Sequence, residues 1–316
     1  MFPTLFTFSQ EHGLSAGFEH FGDPGVVGFH SWGLMVMMAF LVAFLTTSAR
    51  APKVGIDPDS LVPLYLLASI FGMLGSRLLH FVFAEPALLL SNPLVFFDTT
   101  EGGFAFLGGV IGGVLSGGAY ALWRGIPLWK LADVIAPTIM FAAAVGRIGC
   151  FLSGCCHGAA VPDAEITSTL LALPGGSIVA LDAAPFLALI FEPNVGVGAI
   201  HNVPVYPTQL WEIVSGLTLF AFLSWMWFYA RRFDGQIIAA MIICYAPARI
   251  FNEMFRGDSV RGVDQFGTGL STSQLVSLAL VLVGIVIIAV RFSRGISPEE
   301  PIVYDDDDEA ELDDVI

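Results

Sequence analysis

The residues of this chain best suited to chemistry lie in one stretch, 146–158, which runs GRIGCFLSGCCHG and closes a long apolar segment. The stretch contains one cation, Arg147, together with three thiols and an imidazole. An arginine at the end of a membrane segment costs ~2.5 kcal/mol or more unless a partner compensates its charge. Arg147 is therefore a candidate for binding an anion.

The sulfur and imidazole side chains of the same stretch are soft ligands, so a zinc or redox site is one possibility. The spacing C-x4-C-C-H matches none of the usual paired zinc chelates, and adjacent cysteines rarely both reach one tetrahedral ion. The sequence therefore predicts no metal and favours Cys150 as a small buried hydrophobic residue. A disulfide from Cys150 to Cys155 or Cys156, beside His157, is the alternative if this end faces an oxidising compartment.

The composition is that of a polytopic membrane protein. Of the 316 residues, 55% are hydrophobic and only 13% are charged, and the mean hydropathy is +0.77. The net charge of −15 is misleading, because ten of the 28 acidic residues lie in a solvated tail after residue 298. The basic residues form no patch, which excludes nucleic acid as a partner. Residues 1–30 contain no Lys or Arg, so we predict no cleavable signal peptide.

Apolar runs of about 20 residues predict an all-α protein with seven transmembrane helices. These fall near 30–49, 61–83, 104–123, 132–152, 209–230, 236–254 and 272–291. With the N-terminus outside, eight of the thirteen basic residues fall on the cytoplasmic side. We therefore predict an exported segment at 1–29, a membrane domain at 30–294 with an exported loop at 153–206, and an acidic, disordered cytoplasmic tail at 295–316.

Five arginines break this charge rule together, on the outer side, namely Arg77, Arg147, Arg249, Arg256 and Arg261. Each one could pair with a nearby acid or extend to lipid phosphate. Alternatively they share an anionic site, because a guanidinium matches the geometry of phosphate. We favour the shared site for Arg147 and Arg249, which lie deep in glycine-rich and polar segments.

Carboxylates accompany these arginines. Gln209 and Glu212 are three residues apart and share one face of the fifth helix. They form either an interfacial cap or a polar wall for the arginines. Arg249, Glu253 and Arg256 form one stripe of the sixth helix, so one carboxylate lies between two guanidiniums and an exogenous anion could complete the site.

The third predicted helix is rich in glycine pairs. The spacing from Gly109 to Gly113 is typical of close helix packing. Gly102 and Gly103 precede the apolar run and could instead form a backbone turn near a lipid head group.

Six motifs, in this order, resemble the bacterial prolipoprotein diacylglyceryl transferase family: GMLGSRLLHFVF, GGFAFLGGVIGG, DVIAP, GRIGCFLSG, YPTQLWE and ARIFNEMFRGD. The likeness extends from Ser31-Trp32-Gly33 to Thr272-Ser273-Gln274. The resemblance implies transfer of a diacylglyceryl group from phosphatidylglycerol to the lipobox cysteine thiol of a preprolipoprotein, with release of glycerol 1-phosphate. It also implies a multi-pass protein of the bacterial inner membrane that needs no cofactor.

The resemblance assigns the family's phospholipid-binding arginine to Arg147 and its second catalytic arginine to Arg249. We accordingly predict Arg147, Arg249 and Glu253 as catalytic residues. The predicted substrate-binding residues are Arg147, Gly102, Gly103, Gly108, Gly109, Gly154, Gln209, Glu212 and Arg256.

The chain departs from the family pattern at several polar positions. Leu107 and Tyr206 stand where histidine is usual, and Cys150, Ser153 and Cys155 replace two asparagines and a glutamate. His80, His157, His201 or Glu212 are the alternatives for a general base. These departures leave two other functions open: a phospholipid-binding relative with cysteine-dependent acyl or thiol chemistry, and a non-enzymatic lipid-binding protein.

Overall fold

The computed structural model describes residues 4–9, 13–16, 27–97, 103–161, 170–173, 177–180, 188–191, 203–256 and 268–293. Within these residues, seven helices are long and apolar enough to cross a membrane. They are α1 (Ser31–Arg50), α2 (Leu61–Phe83), α4 (Phe106–Trp123), α5 (Leu128–Ser153), α6 (Thr208–Tyr229), α7 (Gln236–Met254) and α8 (Thr272–Ser293). A short helix, α3 (Pro86–Ser91), follows α2. The seven predicted spans are thus confirmed.

The start of α5 differs from its prediction. The helix begins at Leu128, whereas the sequence predicts a start near residue 132. Pro127 directly precedes the helix, and its carbonyl accepts a hydrogen bond from the N–H of Leu131 at 3.0 Å. Proline is well tolerated at a helix start, where its missing N–H has no partner to lose. The polar residues Lys130 and Asp133 therefore belong to the first turns of the helix.

Two small antiparallel sheets accompany the helices. The first has strand order β2-β1-β3, with β1 at Thr4–Ser9, β2 at Gly13–Ala16 and β3 at Val27–His30. The second has order β4-β5-β6, with β4 at Leu170–Leu173, β5 at Ser177–Ala180 and β6 at Ala188–Phe191. β4 and β5 pair as an antiparallel hairpin within the residues 153–206 that the sequence predicts to form an exported loop.

The chain divides into two units, one formed by residues 44–134 and the other by residues 1–43 and 135–316. In the smaller unit, glycines allow α2 and α4 to pack backbone to backbone. A Cβ on Gly108 would lie 2.3 Å from the carbonyl oxygen of Gly75. The packing explanation therefore accounts for the glycine pairs inside α4.

Two further features of the smaller unit concern predicted residues. Arg77 is buried, and its guanidinium donates to the backbone carbonyls of Val95 at 2.7 Å and Phe96 at 3.1 Å. These contacts favour a structural role for that arginine. Gly103 has a φ of +80°, and a Cβ there would lie 2.7 Å from the His80 ring, so glycine meets both a torsional and a steric requirement.

In the larger unit, α6 packs on α5 where Gly216 approaches Ala144, and α7 packs on α8 where Gly284 approaches Ile243. The chain beyond α5 is fixed by backbone pairing. Gly158 donates its N–H to the Tyr206 carbonyl at 2.9 Å and forms a β-bridge with Arg256. These contacts bring the end of α5, the start of α6 and the end of α7 together.

Candidate functional site

The centre of the candidate site is the carboxylate of Glu212, on the first turn and a half of α6. It forms ion pairs with two arginines from different helices. Arg147 of α5 directs its Nε at Oε2, and Arg249 of α7 lies with Nη1 2.6 Å from Oε1. The side chain of Arg147 remains 24% exposed. One carboxylate therefore holds both guanidiniums in place while Arg147 keeps an accessible surface.

Arg249 is held by two further groups. Its Nη2 lies 2.8 Å from Oε2 of Glu253, one turn further along α7, and 3.3 Å from Oγ of Ser273 at the start of α8. The Glu253 side chain is only 2% exposed, compared with 13% for Arg249. Glu253 therefore orients the arginine from inside the protein.

Three cysteines lie beside Arg147. The sulfur atoms of Cys150, Cys155 and Cys156 all lie within 4.8 Å of one another, and all three are free thiols. Nη1 of Arg147 is 4.0 Å from Sγ of Cys150. The pKa of Cys156 is lowered, because the Cys150 and Cys155 thiols hydrogen-bond to its sulfur and the charges of Arg147 and Arg256 favour its thiolate.

Side chains from the start of α6 hold the turn that carries these cysteines. The Gln209 amide donates to the Cys155 carbonyl at 2.9 Å, and the Thr208 hydroxyl donates to the Cys156 carbonyl at 3.0 Å. Asn252 in turn donates to the Thr208 carbonyl at 3.0 Å. Thr208, Gln209 and Asn252 are all buried. Their contacts connect α6 and α7 to the cysteine turn.

The structure thus brings together a large part of the predicted set. Arg147, Glu212, Arg249 and Glu253 form one continuous ion-pair network. Glu212 contacts both arginines, as the polar-wall alternative expects, and its role in substrate binding stays a prediction. Arg256 joins this region through its β-bridge to Gly158 and through its charge, which favours the thiolate of Cys156.

Other predicted residues lie elsewhere. Gly103, Gly108 and Gly109 belong to the smaller unit, where helix packing and the Gly103 turn account for them. Their role in substrate binding stays a prediction. Gln209 contacts the cysteine turn, and Gly154 lies in it with a φ of +69°. Gly102, His201 and Arg261 lie outside the described residues.

Sequence reasoning missed three residues that support the site, namely Ser273, Thr208 and Asn252. Each lies within or next to a motif that the sequence presented, TSQL, YPTQLWE or ARIFNEMFRGD. Their polar side chains at the ends of apolar helices were the available signal.

A family model described as prolipoprotein diacylglyceryl transferase matches residues 23–290, which is most of the chain. The chain belongs to the prolipoprotein diacylglyceryl transferase family.

The match between this chain and several curated relatives extends over nearly the whole length of those relatives. A phosphatidylglycerol–prolipoprotein diacylglyceryl transferase of Clostridium tetani is 29% identical over 88% of this chain and 98% of its own length. A second transferase of that name from Clostridium perfringens is 29% identical over 84% of this chain and 92% of its own. The Sodalis glossinidius transferase is 30% identical over 85% of this chain and 91% of its own. All members of the ion-pair network lie within the matched residues 23–290.

Proposed function

We propose that this protein transfers the diacylglyceryl group of phosphatidylglycerol to the lipobox cysteine thiol of preprolipoproteins in the bacterial inner membrane, releasing glycerol 1-phosphate. The observation that carries the proposal is the bridge from Glu212 to Arg147 and Arg249, which presents two guanidiniums from separate membrane helices at one place. Family membership and the names of the relatives support the same reaction.

The reaction needs stabilisation of phosphate. The acceptor thiolate attacks the sn-3 carbon of the diacylglyceryl group and forms a C–S bond. The bond between this carbon and the phosphate oxygen breaks, and its electrons stay with that oxygen, which leaves with the phosphate. Phosphatidylglycerol carries one negative charge on its phosphodiester, and the glycerol phosphate that leaves gains another. Guanidiniums already in position stabilise this increase in charge, and they do so most effectively where water is excluded.

Arg147 is the residue that we expect to contact the phosphate. It has the most exposed side chain among the four members of the network. Its guanidinium directs Nε at Glu212, so its other edge can donate to a phosphate oxygen. Arg249 adds a second positive charge across the carboxylate, and Glu253 positions Arg249.

Glu212 is assigned the role of a positioning residue. Both of its carboxylate oxygens are engaged by guanidiniums, so the carboxylate holds Arg147 and Arg249 in place. Of the other candidates for a base, His157 has Nδ1 2.8 Å from the Gly158 carbonyl oxygen. That contact orients its ring within the segment that follows the cysteine turn.

A reporter lipoprotein tests the proposal in cells depleted of their own transferase. Arg147→Ala should abolish lipidation while the protein still accumulates in the membrane. Arg231→Ala is the matched control, because Arg231 pairs with Asp234 in the connection between α6 and α7. We expect this control to lipidate the reporter normally. Full lipidation with Arg147→Ala would refute the proposal.

A further inference from the structure

The cluster of Cys150, Cys155 and Cys156, called here the thiol cluster, has the geometry of a preformed ligand set. Its three sulfur atoms lie within 4.8 Å of one another, a separation that thiolates sharing one metal ion also show. Cys150 is buried, whereas Cys155 and Cys156 are partly exposed. The cluster is therefore buried at Cys150 and partly open to solvent at Cys155 and Cys156.

The backbone conformation of the turn bears on whether the adjacent cysteines, Cys155 and Cys156, can both reach one metal ion. Cys156 has a φ of +58°, the only positive value among the described residues other than glycine. This left-handed conformation costs roughly 1–2 kcal/mol for such a residue. In this turn the sulfur atoms of the adjacent Cys155 and Cys156 lie within 4.8 Å of each other. Adjacent residues in extended chain would point to opposite sides.

Contacts from outside the turn maintain this conformation. The Cys155 N–H donates to the Cys150 carbonyl at 3.1 Å. Gln209 and Thr208 then hold the carbonyls of Cys155 and Cys156. Strained torsions persist where the surrounding structure determines them in this way, and they concentrate at functional sites.

The donor set determines which ligand fits. Three thiolates select a thiophilic cation, and sites with three protein ligands keep a fourth position open for water or substrate. The N–H of Arg147 that points at Sγ of Cys150 supplies an outer hydrogen bond of the kind that stabilises metal-bound thiolate. We propose that the thiol cluster binds one thiophilic divalent cation, Zn²⁺ or an equivalent, whose fourth position binds the acceptor thiol.

This inference rests on the proposed function and completes its chemistry. On binding the cation, the acceptor thiol loses its proton to water. The resulting thiolate attacks the glyceryl carbon, and the electrons of the broken C–O bond leave with the phosphate, so nothing is oxidised or reduced. Arg147 contacts both Cys150 and Glu212, so the bound thiol and the phosphate would meet at one guanidinium.

Titration of the full-length protein with Co²⁺ in detergent, without oxygen, tests the inference directly. Thiolate ligands to Co²⁺ give charge-transfer absorption in the near ultraviolet, and a tetrahedral site gives visible bands. We expect one Co²⁺ per chain and loss of both signals on competition with Zn²⁺. A lipobox peptide should shift the visible bands, whereas the same peptide with serine in place of cysteine should not.

The matched control is Cys244→Ser, because Cys244 lies in α7 outside the thiol cluster. It should bind Co²⁺ like the unmodified protein. Cys155→Ser and Cys156→Ser should each lose more affinity than the about 10- to 100-fold that removal of an outer partner causes. Absence of the thiolate bands from the unmodified protein, or their full retention in both variants, would overturn the inference. So would a peptide that leaves the bands unchanged.

The outcome is separable from that of the proposed function. Binding of Co²⁺ and of the peptide needs no turnover, so a protein that shows both but releases no glycerol 1-phosphate contradicts only the proposed function. A protein that transfers the lipid fully after removal of metal, or with Cys156→Ser, contradicts only this inference.

Discussion

Replacing Glu212 by Gln is the sharpest test of the ion-pair network. The substitution keeps the size of the side chain and removes its charge. Its amide would have to place an NH2 group against one of the two guanidiniums, Arg147 or Arg249. The two arginines would then repel one another without the carboxylate between them.

The expected magnitude follows from the burial of these pairs. An exposed ion pair contributes about 0.2–1 kcal/mol, and removal of one partner from a buried pair costs about 3–5 kcal/mol. Side-chain exposures of 24%, 14% and 13% for Arg147, Glu212 and Arg249 place the two pairs between these limits. We expect Glu212→Gln to lose about 2–4 kcal/mol of transition-state stabilisation. At 1.36 kcal/mol per tenfold, this is a decrease of about 30- to 1,000-fold in kcat/KM.

The decrease in Glu212→Gln should appear in kcat/KM for phosphatidylglycerol, measured from the rate of glycerol 1-phosphate release. Asp234→Asn is the matched control, because Asp234 pairs with Arg231 at 2.5 Å at the opposite end of α6. The residues from Glu212 to Tyr229 span about 25 Å of helix at about 1.5 Å per residue. The control should keep full activity.

A double-mutant cycle with Arg249→Gln completes this test. The network predicts that Glu212→Gln and Arg249→Gln are non-additive by at least about 1 kcal/mol. A Glu212→Gln protein with kcat/KM within threefold of the unmodified enzyme, or strictly additive losses, would refute the role of the carboxylate.

Three further predictions follow from named contacts. Arg147→Lys keeps the charge but loses the planar fork, so kcat/KM should fall at least about tenfold while the membrane level is unchanged; activity equal to that of the unmodified enzyme would contradict bidentate binding. Gly108→Ala places a Cβ 2.3 Å from the Gly75 carbonyl oxygen and should lower the melting temperature in detergent. Gly118→Ala is the control, because a Cβ there has nothing within 4 Å, and it should not lower the melting temperature. Equal melting temperatures for the two variants would argue against the α2–α4 contact. The free energy of unfolding by denaturant should be about 1 kcal/mol higher for Cys156→Gly than for Cys156→Ala, because glycine accepts a φ of +58° without strain. The reverse order would contradict the left-handed turn.

The membrane helices could be predicted from the sequence because their signal is local. Each span is a continuous apolar run, and the structure confirms all seven. The association of Arg147, Arg249 and Glu212 was also accessible, since charges inside apolar helices need partners and these helices offer few. Which of the arginines the carboxylate would contact required the structure.

The arrangement of the cysteines could not be predicted in the same way. The torsion of Cys156 is held by hydrogen bonds from Thr208 and Gln209, more than fifty residues further along the chain. No local pattern encodes such contacts. The glycines of α4 illustrate the same difficulty, because packing and substrate binding use the same residue type and only the position of α2 distinguishes them.

The orientation of the chain in the membrane stays a prediction from its basic residues. It places the arginine network and the cysteine turn at the outer side, where an exported acceptor would arrive. Labelling of single cysteines from outside the cell tests it, in a protein whose four native cysteines are replaced by serine. We expect Ser293→Cys in α8 to be protected and Val203→Cys before α6 to be labelled. The opposite pattern would contradict the orientation.

The proposed function requires the arginine network for transfer of a diacylglyceryl group to a peptide thiol. The purified protein is incubated with phosphatidylglycerol vesicles and a lipobox peptide, and both products are followed. We expect glycerol 1-phosphate to be released in an amount equal to that of the peptide that has gained one diacylglyceryl group. We expect neither product with Arg147→Ala or with a peptide that has serine in place of cysteine. Intact peptide after prolonged incubation, or equal product formation by Arg147→Ala, would contradict it.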